Sequence, residues 1–82
     1  MEEKDLIVEF GQIVRQTRRY VGLNQRQLAQ QVNTSLRTVL YVEKGIRTHI
    51  NTRRRLAHWL SKQSIPLSEQ LSNLKEKFAS IL

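Results

Sequence analysis

Apolar residues recur along this chain at spacings of three and four, the period of a helix with one buried side. Five helices and no strands are predicted on that pattern. The first spans roughly residues 4–20, with Leu6, Phe10, Ile13, Val14, Thr17 and Val21 on one face, and Gly22 ends it. The second starts at Asn24, a good N-cap, with Gln27 three residues on as in a capping box, and ends near Val32. Its inner face is Leu28, Ala29 and Val32. Ser35 caps a third helix through about Lys44, with Val39 and Val42 inward and Gly45 as its stop. A loop from Ile46 to Ile50 follows. Asn51 or Thr52 then caps a fourth helix to about Lys62, with Leu56, Trp59 and Leu60 inward. Pro66 suits the first turn of a fifth helix, whose apolar residues Leu67, Leu71, Leu74, Phe78 and Ile81 repeat at four and three.

The second and third helices are short, and only Asn33-Thr34-Ser35 joins them. That is the layout of a helix-turn-helix. The turn must be tight, and asparagine enters the left-handed backbone region more cheaply than most residues other than glycine. The helices must approach closely, and Ala29 is small. The third helix buries one side and leaves Leu36, Arg37, Leu40, Tyr41 and Lys44 on the other.

Charge sharpens this picture. The 82 residues carry a formal charge of +7. Residues 1–9 hold four acids against Lys4, and residues 63–82 are balanced. Residues 10–62 hold eleven lysines and arginines against a single acid, Glu43, a net of +10. Such a concentration of one sign favours an anionic partner, nucleic acid before any other. Other function classes fall away. There is no cysteine, hence no disulfide scaffold, thiolate metal site or cysteine nucleophile. Two histidines, His49 and His58, are too few for most metal sites. No Ser/His/Asp set or glycine-rich phosphate loop occurs. Neither an enzyme nor a cofactor is expected. The longest apolar run is Val39-Leu40-Tyr41-Val42, far short of a membrane span, and the first residues form no signal-peptide core. A cytoplasmic protein is expected.

The stretch from Gly22 to Ser35, followed by Val39, Val42, Glu43 and Gly45, resembles the Cro/CI-type (XRE-like) repressor family. The Gln25-x-x-Leu28-Ala29 segment and Glu43-x-Gly45 at this spacing carry the likeness, which extends over roughly residues 10–62. It departs from the family at Asn33, where glycine is common, and at Arg53, near a position often apolar. The resemblance implies an all-α, five-helix lambda-repressor-like DNA-binding domain over residues 1–64, with residues 65–82 as a C-terminal packing or dimerisation helix. It also implies that Gln25 meets the DNA backbone, that Ser35, Leu36, Arg37 and Tyr41 meet DNA, and that Arg18 and Glu43 form a buried pair.

The residue chemistry bears on the same positions. A guanidinium fork matches guanine O6 and N7, so Arg37 is a candidate base reader. Leu36 and Leu40 either pack on thymine methyls or make a small contact with a neighbouring helix. Tyr41 bonds a base or phosphate, or packs on its own helix. Arg53, Arg54 and Arg55 open the fourth helix, where cations oppose the helix dipole; a phosphate backbone is the obvious use, though at least one of them can pair with an acid of the first helix. Arg54 is assigned to phosphate, as are Arg26, Thr38, Lys44, Arg47, Thr48, His49 and Asn51 around it. Glu43 would be repelled by phosphate and is read as structural, on Arg18.

Together these features predict a sequence-specific regulator binding double-stranded DNA. It would be a small repressor, dimeric on a near-palindromic operator, with two third helices about 34 Å apart. The alternative is a protein-interaction module, an antitoxin or antirepressor, acting through the stripe from Leu67 to Ile81. That stripe either caps its own core or pairs with a second copy.

Overall fold

The computed structural model describes residues 3–63, and among them are four helices and no strands. They are α1 (Glu3–Tyr20), α2 (Gln25–Gln31), α3 (Leu36–Glu43) and α4 (Ile50–Ser61). The predicted fifth helix, with Leu67, Leu71, Leu74, Phe78 and Ile81, lies outside the described residues.

The helix ends follow from local chemistry. Three of them close with one motif, in which a residue of positive φ turns the chain and two amides return to the last turn. After α1 the turning residue is Gly22 (φ 81), with Leu23 N–H on the Arg18 carbonyl. After α2 it is Asn33 (φ 55), with Thr34 N–H on the Ala29 carbonyl at 2.9 Å. After α3 it is Gly45 (φ 79), with Ile46 N–H on the Tyr41 carbonyl. Asn33 is therefore the non-glycine residue that makes the turn between α2 and α3 tight.

The starts are capped by side chains. Asn24 Oδ1 accepts from Gln27 N–H at 2.7 Å, and Gln27 Oε1 accepts from Asn24 N–H at 2.8 Å, a complete capping box. Ser35 Oγ accepts from Thr38 N–H at the start of α3. For α4 the expected cap at Asn51 or Thr52 is replaced by His49. Its Nδ1 accepts from Asn51 N–H at 3.1 Å, and its carbonyl accepts from Thr52 and Arg53. The helix thus begins at Ile50, and the preceding loop is shorter than the sequence suggests.

The core lies where the four helices meet. Leu6, Phe10, Ile13 and Val14 from α1 join Leu28, Ala29 and Val32 of the α2 segment, Val39 and Val42 of α3, and Leu56, Ala57, Trp59 and Leu60 of α4. Trp59 Nε1 donates to Gln31 Oε1, so the indole is buried with its N–H satisfied. Val21 is not part of this face. It lies past the end of α1, in the turn, and is 37% exposed. Gly11 carries no periodic signal, yet it is where α1 and α3 approach closely, on the Val42 carbonyl. A Cβ there would stand 2.1 Å from the Val42 carbonyl oxygen, so only glycine admits this approach. The helix α3 is thereby set directly against α1.

Candidate nucleic-acid interface

The α3 helix divides cleanly along its length. Val39 and Val42 are in the core, while Arg37, Tyr41 and Lys44 are exposed and Leu36, Thr38 and Leu40 are half-buried. The i, i+4 spacing places Leu36 over Leu40 and Arg37 over Tyr41. Neither Leu36 nor Leu40 belongs to the core cluster of buried residues. The Ser35 and Thr38 hydroxyls are 2.8 Å apart, so the cap of α3 already engages both.

A polar hub fixes α3 to the rest of the motif. Arg18 Nε donates to Glu43 Oε2 at 2.7 Å, and Arg18 Nη2 to Glu43 Oε1 at 3.1 Å. The two side chains are 9% and 4% exposed. Arg18 Nη1 donates to the Leu23 carbonyl, and Gln25 Nε2 donates to Glu43 Oε1 at 3.0 Å. One carboxylate at the end of α3 therefore receives donors from α1 and from the first residue of α2. Because the carboxylate only accepts, the Gln25 amide must face it with nitrogen. One of the two Gln25 amide hydrogens is spent inside the domain, and the side chain is half-buried. Periodicity alone does not reveal that Gln25 and Glu43 meet, since eighteen positions separate them.

The cations expected to grip phosphate do not behave alike. Arg26, Arg47 and Arg54 are exposed. Arg53 is 3% exposed and is withdrawn from any DNA surface. Its place in α4 is an inward one, on the same side as Leu56, Ala57 and Leu60. Arg55 is exposed but donates to the Asn33 carbonyl at 2.7 Å, which ties α4 to the turn of the motif. In the loop and first turn before it, Thr48 is half-buried while His49 and Asn51 are exposed, and His49 spends Nδ1 on the cap of α4. The Thr48 hydroxyl is buried without a hydrogen-bond partner among the described residues.

Among the described residues no group of three histidine, cysteine, aspartate or glutamate side chains stands close enough to hold a metal. No described helix is long and apolar enough to cross a membrane. An open cleft of about 300 Å³ between α2 and α4 is lined by Val32, Trp59, Arg55, His58 and Lys62 among others, a cationic rim over a small apolar floor. Comparison of the chain with protein-family models, with curated proteins and with solved structures finds no match.

Proposed function

We propose that this domain reads duplex DNA in a sequence-specific way and acts as a small transcriptional repressor of the Cro/CI type. The observation that carries the proposal is the division of α3. Its apolar side is consumed by the core, and its other side offers Leu36, Arg37, Leu40, Tyr41 and Lys44 outward. That outward side belongs to a segment with a net charge of +10 over residues 10–62. A short helix presented in this way fits the major groove, with its first residues nearest the base edges.

In this arrangement Arg37 reads a base and the surrounding polar residues hold the backbone. Ser35, Thr38 and Gln25 sit at the starts of α3 and α2, where backbone N–H groups also favour phosphate. Arg26, Lys44, Arg47, His49, Asn51 and Arg54 flank them, whereas the Thr48 hydroxyl is buried and drops out of the expected set. Arg18 and Glu43 do not touch DNA; they tie α3 to α1, and Gln25 of α2 joins the same carboxylate. A dimer would set two α3 helices one turn of DNA apart, about 34 Å, on a near-palindromic operator in the cytoplasm. Selection of binding sites from random duplexes, followed by mass measurement of the complex, tests the proposal. A recurring sequence with two related half-sites and two chains bound supports it. Binding to all duplexes alike rejects it.

A further inference from the structure

The side chains that α3 offers are few, and their chemistry narrows the DNA it can read. Leu36 and Leu40 are half-buried, stand one helical turn apart, and lie outside the core cluster. Each leaves apolar surface in water on an otherwise polar side of the helix. In the major groove the one apolar feature of a base edge is the 5-methyl group of thymine. Apart from Tyr41 and Lys44, which are exposed beside them, the other readers are missing or engaged. The helix from Leu36 to Glu43 has no asparagine or glutamine to pair with adenine. Its one acid, Glu43, is held by Arg18 and Gln25 and so is withheld from cytosine N4. The Thr38 hydroxyl lies against Ser35. Arg37 is exposed and carries the fork that fits guanine.

Resting on the DNA-reading role proposed above, we infer that the half-site is a guanine beside thymines whose methyl groups are themselves recognised, Arg37 taking the guanine and Leu36 and Leu40 the methyls. Spacing adds a constraint. Residues four apart on a helix are separated by about 6 Å along its axis, and base pairs in one strand by about 3.4 Å. The two thymine methyls therefore fall about two base-pair steps apart. Arg37 follows Leu36 directly, so the guanine neighbours the first of them.

The test keeps the protein whole and changes only the DNA. In a duplex obtained by selection, each thymine is replaced in turn by deoxyuridine, which pairs alike and lacks the methyl group. Affinity is measured by fluorescence anisotropy. Two positions per half-site should each lose about fourfold in affinity, the loss that burying one methyl implies, and other thymines should lose nothing. Leu36→Ala should abolish the loss at one of those positions and Leu40→Ala at the other. If either variant fails to fold, the deoxyuridine series on the unaltered chain decides alone. A protein that still prefers its selected duplex over random DNA, yet ignores every thymine methyl, overturns the inference and leaves DNA reading intact. Selected sites without thymine beside guanine overturn it in the same way. A protein that prefers no duplex overturns both.

Discussion

Gly11→Ala is the smallest change that tests how α3 is held. The added methyl carbon would stand 2.1 Å from the Val42 carbonyl oxygen, 3.2 Å from the Val42 carbonyl carbon and 3.4 Å from Glu43 Cα. All three atoms are backbone, so no rotamer change relieves the contact. Ordinary packing needs well over 3 Å between such atoms, so α1 and α3 must separate by roughly 1 Å at their crossing. Forcing a methyl into a packed site typically costs about 1–3 kcal/mol, and a rigid carbonyl puts the cost at the upper end. Alanine regains about 1 kcal/mol over glycine in a helix interior. The balance is a net loss of about 2 kcal/mol. In a domain of this size that lowers the unfolding midpoint by roughly 8–16 °C. Thermal unfolding followed by circular dichroism measures it, with Gln12→Ala as a control on the exposed side of the same helix. A Gly11→Ala protein as stable as the parent, or more stable by the helix-propensity gain, would refute the close approach of the two helices.

Three further changes probe the hub, the core and the charged rim. Glu43→Gln leaves the Arg18 guanidinium buried without its counter-charge and should cost about 3 kcal/mol or more, read by denaturant unfolding; an unchanged midpoint would show that the pair contributes little. Thr17 is fully buried and its hydroxyl has no hydrogen-bond partner among the described residues, so Thr17→Val should raise stability by about 1 kcal/mol; a fall in the melting temperature would mean the hydroxyl has a partner after all. Arg54→Ala should weaken binding to operator and random DNA alike and reduce the slope of log affinity against log salt by about one; an unaltered slope would remove Arg54 from the interface.

Much of the fold can be read in the chain because its helix ends are written in residue types with special backbones. Gly22, Asn33 and Gly45 take up positive φ, and Asn24 with Gln27 forms the capping box their spacing suggests. Glu43 stands out as the one acid among residues 10–62, and its carboxylate lies on Arg18. Other features depend on tertiary placement and leave no local trace. Gly11 looks like a helix-weakening residue until α3 is laid against it. Arg53 looks like one of three surface cations, but the α4 register turns it inward beside Leu56 and Ala57. His49 caps α4 through a ring nitrogen, although Asn51 and Thr52 are the better cap types, because the helix starts earlier than they allow. Gln25 reads as an outward residue, yet one of its amide hydrogens is held by a carboxylate that only folding brings near.

The outward role of α3 is tested most directly by the affinity of Arg37→Ala for a selected operator and for random duplex at one salt concentration. A bidentate contact to guanine carries about 1–3 kcal/mol of discrimination, so the ratio of the two affinities should fall roughly five- to 150-fold, mostly through the operator. Equal losses on both duplexes would make Arg37 a phosphate contact, and no loss on either would take α3 out of the groove.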